Sequence, residues 1–272
     1  MDAAGYQPAE AKSGELVSRG STSEQTLSEN KRTLAARSDD VACVSVLEGY
    51  ERWAHTYDQV PNPLLALEER YLNRILPDLA GKHALDLACG TGRWLTQLLA
   101  RGAQTVVGLD LSAAMLRGAR DKAPIRDRLV LADCLQLPFR ASAFDFVLCS
   151  FAINHIHPLD VVAQELARTM RPGGQLLICE MHPEAYAQGW RPGFRDTQSA
   201  VQIETAGHSA ESVISFVQSN TFSCLKVHDL FFGEPERSIF LHTGKGEIFA
   251  DACRVPAVQV YQFVHTGAAI GS

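Results

Sequence analysis

Short apolar runs alternate with amphipathic stretches through the middle of the chain. Residues 83–88, 105–109, 128–132, 144–151 and 175–180 are brief runs rich in Leu, Val, Ile and Phe, the length and composition of buried strands. Between them the period lengthens. Residues 92–100 put Trp94, Leu95, Leu98 and Leu99 on a helical stripe that stops at Gly102. Ser112 caps a second helix carrying Met115 and Leu116, and 159–170 forms a third that ends at Pro172-Gly173-Gly174. Upstream, Asn62 is placed as an N-cap with Pro63 at the first helical position, and Leu64, Leu67, Tyr71 and Ile75 share one face. Short strands alternating with helices predict a parallel sheet covered on both faces. Beyond residue 182 the pattern is mixed and aromatic, with Tyr186, Trp190 and Phe194, before a helix over 209–218 and strands over 222–232 and 256–265.

Residues 1–40 break the pattern. They are rich in Ser, Glu, Gln, Lys and Ala, and bury too little apolar surface to offset the entropy of ordering. They lack the apolar core of a signal peptide and mix acidic with basic side chains, unlike a transit peptide. A flexible tail or a packing arm is expected there. Composition narrows the classes further. The 272 residues are 46% hydrophobic and 21% charged, as in a soluble globular protein. No run of about 18 apolar residues offers a membrane span. A net charge of −6 argues against a protein that lives on phosphate contacts, so nucleic acid is not the expected partner. The seven cysteines stand singly without a C-x-x-C pair, which reads as free thiols in a reducing, cytoplasmic setting rather than a disulfide framework or zinc site.

The chemistry concentrates at strand ends. Asp86-Leu87-Ala88-Cys89-Gly90-Thr91-Gly92 joins the first strand to its helix, and the small residues 88, 90 and 92 let backbone turn tightly against a ligand. The second strand ends in Asp110, placed to accept ribose hydroxyls, and the third in Ala132-Asp133-Cys134. Each acid also has a plainer reading as a turn or cap residue. Two nucleotide classes are disfavoured. Leu95 stands where the dinucleotide fingerprint has Gly or Ala, and there is no P-loop lysine.

These residues resemble the class I S-adenosylmethionine (SAM)-dependent methyltransferases, in particular the small-molecule group that includes the ubiquinone/menaquinone-biosynthesis enzymes. The matching pieces run in order: Tyr50-Glu51-Arg52-Trp53-Ala54-His55-Thr56-Tyr57-Asp58, the stretch 85–92, Val107-Gly108-Leu109-Asp110-Leu111-Ser112, Ala132-Asp133-Cys134-Leu135-Gln136-Leu137-Pro138-Phe139, Phe144-Asp145-Phe146-Val147, and 166–180. The resemblance covers about 48–182 well and 183–265 loosely. It implies an α/β fold: a Rossmann-like doubly wound sheet of about seven strands, mostly parallel with an antiparallel C-terminal strand, and a helical N-terminal cap. The expected organisation is a tail over 1–40, cap helices over 41–80, a SAM-binding core over 81–182, a substrate-covering insert and helix over 183–221, and completing strands over 222–272.

The resemblance also implies roles. Ala88, Cys89, Gly90 and Gly92 would cradle the amino-acid part of SAM, with Asp86 steadying that loop and the amino group. Asp110 would hold the ribose, with Leu111 against the adenine. Asp133 and the Cys134 amide would meet the adenine edge, and Met115 and Phe151 complete the cofactor set. Ala88 departs from the glycine usual at its position.

For methyl transfer the protein supplies alignment and a base where one is needed. His155, just past the fourth strand, is the candidate base, with a loop or capping role as its alternative and His157 as a second choice. Tyr50, Tyr57, Glu180, His182, Trp190 and His208 are candidates for the substrate pocket. Trp190 also fits core packing, and the two tyrosines a surface lid. His155, His157, His182 and His208 lack the spacing of a metal motif, so no metal is expected. The expected activity is methyl transfer from SAM to an O, N or C nucleophile of a small molecule. The rivals are a SAM-binding protein with other chemistry and, further back, a dinucleotide-dependent oxidoreductase.

Overall fold

The computed structural model describes residues 41–197, 199–218 and 220–267, so the expectation for residues 1–40 lies outside the described residues. In chain order the elements are β1 (Val41–Val44), α1 (Val46–Trp53), α2 (Pro63–Ile75), β2 (His83–Leu87), α3 (Arg93–Ala100), β3 (Thr105–Asp110), α4 (Ala113–Arg120), β4 (Leu129–Leu131), β5 (Phe144–Ser150), α5 (Leu159–Thr169), β6 (Met170–Met181), α6 (Pro183–Ala187), β7 (Gly193–Arg195), β8 (Ala200–Ile203), α7 (Ala210–Gln218), β9 (Phe222–Leu230), α8 (Glu234–His242), α9 (Phe249–Ala252) and β10 (Val258–His265).

Local signals explain several boundaries. The Asn62 side chain accepts the Leu64 amide at 2.9 Å with Pro63 at the helix start, and Ser112 accepts the Met115 amide at 3.3 Å. The main sheet has the order β4-β3-β2-β5-β6-β10-β9. Its first five strands are parallel, and β10 runs antiparallel to both β6 and β9. The expected mostly parallel sheet with an antiparallel C-terminal strand is what forms. From β2 the chain winds outward through β3 and β4, then returns to the other side of β2 with β5 and β6. The winding reverses between β2 and β5, which opens a crevice at the carboxyl ends of those strands.

Strand alternation divides the interior in two. On one face Phe146, Leu148, Val258 and Val260 pack with Leu67, Trp94 and Leu98 from the helices. On the other, Leu85, Leu87, Val147, Tyr261 and Phe263 pack with Val162, Leu166 and Val217. Each fully buried Leu on these faces contributes about 1.5–3 kcal/mol, so the sheet is a stiff platform for whatever sits at its strand ends.

The differences from expectation have local causes. The fourth strand stops at Ser150, because Phe151 turns into the left-handed region at φ 51°. The fifth helix stops at Thr169, because Met170 already pairs with Phe144. The third strand is only Leu129–Leu131. A second, three-stranded sheet of order β1-β8-β7 was not expected; its strands are too short to show a period. Nor was α8, whose inward face is carried by Phe240 and a buried Glu236 rather than an apolar stripe. The Glu236 carboxylate accepts the Gly233 amide at 2.9 Å and pairs with Arg70 at 2.7 Å, tying α8 to α2.

Candidate cofactor and substrate site

The crevice holds a cavity of about 260 Å³, and most of its wall comes from the turns that leave β2, β3, β4 and β5. Asp86, Ala88, Cys89, Gly90, Asp110, Leu111, Met115, Asp133, Cys134 and Phe151 all line it, as do Tyr50, Tyr57, His155 and His157. Gly92 does not. It sits behind the wall in the left-handed conformation at φ 76°, where a Cβ would come within 2.3 Å of Ile125. Gly90 (φ 54°) lets the backbone approach Met115, whose Cε would lie 3.1 Å from an added Cβ. Ala88 takes the left-handed region at φ 56° without being glycine.

The acids differ in their partners. Asp110 accepts the Gly90 amide at 2.7 Å on one oxygen and the Ser112 amide at 2.8 Å on the other, so the side chain is aimed and both oxygens keep lone pairs for a ligand. Burial raises its pKa against the effect of these amides. Asp86 is 2% exposed, and its Oδ2 has no hydrogen-bond partner. Burial pushes this carboxyl up to about 8, opposed by the neighbouring Arg93 guanidinium. Asp133 is exposed and uses Oδ1 to accept the Leu135 amide at 2.9 Å. Leu111 is 52% exposed and lines the cavity.

The cavity's basic group was missed by the sequence reading. Arg93, the first residue of α3, lines the cavity and is held from behind by Glu68, which is fully buried. Glu68 also accepts the Trp94 indole at 3.2 Å and the Ser150 hydroxyl at 2.6 Å. The period of the sequence sets Glu68 mostly off the apolar face of α2, with Glu69, Arg70 and Arg74, whereas the fold turns it inward and buries it. A second tie spans the cavity's edge: Thr91 donates to Asp58 at 2.7 Å, and Lys122 bridges Asp58 and the Thr91 carbonyl at 2.8 Å each.

A second cavity, of about 560 Å³, adjoins the first. Tyr50, Tyr57, Phe151 and His155 line both, so they form the wall between them. His155 Nδ1 lies 2.9 Å from the Glu204 carbonyl oxygen, which only accepts, so Nδ1 carries the hydrogen. Nε2 is therefore the free lone pair of the neutral ring, and the Tyr50 hydroxyl donates to it at 3.1 Å. Burial lowers the His155 pKa below its ordinary 6.5, against the Glu204 carbonyl. Burial raises the Tyr50 pKa well above 10 and pushes that of Tyr57 up to about 12, so both stay neutral phenols at neutral pH.

Of the remaining substrate candidates, Glu180 and Trp190 line the second cavity. Glu180 accepts the Asn154 amide at 3.2 Å and the Met181 amide at 2.8 Å, and burial raises its pKa to about 7. His182 and His208 line neither cavity. His182 caps α6, accepting the Glu184 amide at 3.0 Å, and faces Asp229 at 3.3 Å. His208 ties a loop through the Ile156 carbonyl at 2.8 Å and the Asn154 side chain at 3.0 Å. The second cavity also takes Trp53, Tyr186, Phe194, Phe232 and Phe240, residues whose distance along the chain hid their convergence. Among the described residues no three His, Cys, Asp or Glu side chains converge as a metal site, and no helix is long and apolar enough to cross a membrane.

Residues 85–178 match the family model described as a methyltransferase domain. The chain is 34% identical over 138 residues to a biotin biosynthesis bifunctional protein of Cellvibrio japonicus, covering 51% of this chain and 27% of that protein. It is 29% identical over 140 residues to a demethylmenaquinone methyltransferase of Staphylococcus aureus, covering 48% of this chain and 58% of that one. The chain thus spans at most 58% of these curated relatives. In fold it is similar to a putative SAM-dependent methyltransferase of Listeria monocytogenes, with a TM-score of 0.59 at 21% identity over 74% of this chain and 99% of that one. Over residues 85–178 the chain thus matches a methyltransferase domain, and its fold is similar to that of the Listeria protein.

Proposed function

We propose that this protein transfers a methyl group from SAM to an O, N or C nucleophile of a small molecule, in a reducing compartment such as the cytoplasm. The observation that carries the reading is the pair of cavities sharing one wall, a strand-end cavity beside a larger aromatic one. The first cavity's chemistry fits SAM. The unpartnered Oδ2 of buried Asp86 suits the cofactor's cationic amino group, and Arg93 suits its carboxylate. Asp110 suits the ribose diol, while Leu111, Asp133 and Cys134 suit the adenine face and edge. When bound, SAM would supply an electrophilic methyl group, whose bond to sulfur breaks as the acceptor's bond to the methyl carbon forms, leaving the neutral thioether S-adenosylhomocysteine.

The chain's own residues do the rest. The walls of the second cavity exclude water and hold the acceptor against Tyr50 and His155. His155 is the base. Its Nδ1–H is committed to Glu204, so a proton arrives at Nε2, and the Tyr50 hydroxyl in contact with Nε2 relays it from the acceptor. Seven free cysteines support the reducing setting. The test is turnover of methyl-labelled SAM with a small-molecule library, read by mass. Label appearing on a product together with S-adenosylhomocysteine supports the reading. Tight S-adenosylhomocysteine binding with no methylated product across the library would favour a different SAM-dependent reaction.

A further inference from the structure

The second cavity is an aromatic slot with a cationic mouth. Trp53 stacks on Phe194 at 5.1 Å with an interplanar angle of 17°, and Trp190 stacks on Phe232 at 5.9 Å and 27°. Phe240 extends the latter wall, meeting Phe232 edge-on at 5.0 Å. These flat faces line a space of about 560 Å³, large enough for a fused or substituted ring system.

Arg191, Arg195 and Lys245 also line this cavity, and all three are exposed. Among the described residues none of them forms an ion pair. Other arginines are matched differently: Arg52, Arg70, Arg93, Arg168 and Arg171 each face a carboxylate. Arg191 is held by the Tyr186 and Trp190 carbonyls at 2.7 Å each, which fixes its head near the slot without neutralising it. Among the described residues the one acid lining the cavity, Glu180, is buried and turned to the Asn154 and Met181 amides. On a chain of net charge −6, three unmatched cations around one opening select for an anion.

Resting on the methyltransferase reading above, we propose that the acceptor is a planar aromatic or conjugated small molecule bearing an anionic group, a carboxylate or a phosphate. Its ring lies between the Trp53–Phe194 and Trp190–Phe232 pairs. Its nucleophile points to the Tyr50–His155 wall and its anion to Arg191, Arg195 and Lys245. This places charge recognition at the end of the acceptor remote from the reacting atom, where it fixes orientation.

A matched pair of fluorescent probes tests this on the full chain. 8-Anilinonaphthalene-1-sulfonate and N-phenyl-1-naphthylamine share their rings and differ in the sulfonate. The wild type should bind the sulfonate roughly tenfold more tightly, the worth of one desolvated charge-assisted contact. The exposed double substitution Arg195→Ala/Lys245→Ala should erase most of that preference while leaving the neutral probe unchanged, and Trp190→Ala should weaken both probes. Equal affinities, no binding of either probe, or a preference that survives the double substitution would overturn the inference. S-adenosylhomocysteine titrated into the same samples separates the two readings. If it binds and the preference is absent, the substrate class alone falls; if it does not bind the wild type, the methyltransferase reading falls.

Discussion

The two cavities are built in opposite ways. The strand-end cavity is assembled mainly from turns that directly follow β2, β3, β4 and β5, so most of its wall residues, Tyr50 and Tyr57 apart, stand within a few positions of a strand end. The second cavity draws on α1, the segment 60–65, the end of β6, the segment 186–195, and residues 232–248. The first depends on local backbone geometry, which glycines and strand-end acids announce. The second depends on tertiary convergence, which side chains far apart in sequence do not announce. That division lets the walls of the second cavity vary without disturbing the strand ends.

The largest expected effect falls on the wall the cavities share. His155→Ala should lower kcat by roughly 10²–10⁴ with little change in cofactor affinity, measured by steady-state kinetics beside calorimetry. Because burial lowers the His155 pKa, the ascending limb of the wild-type pH–rate profile should lie below pH 6.5. An unchanged rate and limb in the variant would move the base elsewhere, with Glu180 next in line.

Glu68→Gln tests whether α2 braces the strand-end cavity alone. It leaves Arg93 without its buried counter-charge, and unfolding should ease by about 3 kcal/mol, discounted from the fully buried case because the Arg93 side chain keeps 22% exposure. Affinity for S-adenosylhomocysteine should drop as Arg93 loosens, while binding in the aromatic slot should not. Denaturant unfolding that matches wild type would remove Glu68 from this role.

Proton linkage sharpens the contrast further. Asp86 is raised from 3.8 to about 8, so the unliganded fold holds a proton that the unfolded chain releases. Its contribution to stability is full below pH 3.8 and is lost as pH rises through about 8. A cationic amino group bound at Oδ2 reverses the shift, so cofactor binding should release a proton at pH 7. Affinity should then climb with pH until about 8, by up to roughly tenfold per unit. Calorimetry in buffers of different ionisation enthalpy reads the release, and Asp86→Asn should abolish it. Release unaltered in that variant would assign the proton to another group.

The smallest effect is expected at Ala88. Its φ of 56° carries a steric cost that glycine avoids, so Ala88→Gly should raise stability by up to about 1 kcal/mol, seen as a higher thermal midpoint. A lower midpoint would mean that the methyl group's packing outweighs the strain.

The same contrast explains what the sequence made legible. Strand-and-helix alternation, the 86–92 turn, Asp110 and Asp133 led to the sheet and to the strand-end cavity, because each signal is local. Phe151 was included in the cofactor set although its turn out of β5 was not foreseen. Arg93 escaped notice because an arginine opening a helix looks like ordinary surface until Glu68 is seen buried behind it. His182 and His208 looked like pocket residues by position, yet capping and loop ties hold them away from both cavities. Phe232, Phe240 and Lys245 gave no signal, since nothing along the chain tells that 232–248 folds back over α2 and the 186–195 segment.

The most direct test is S-adenosylhomocysteine affinity, measured by titration calorimetry on the wild type, Asp110→Ala and Trp190→Ala. The wild type should bind it in preference to NAD. Asp110→Ala should lose at least roughly tenfold, because hydrogen bonds from a ribose to a charged acceptor contribute about 1.5–3 kcal/mol each. Trp190→Ala should bind like the wild type, since its side chain lines only the second cavity. Equal affinity in wild type and Asp110→Ala, or a wild type that prefers NAD, would contradict the assignment of the strand-end cavity to SAM.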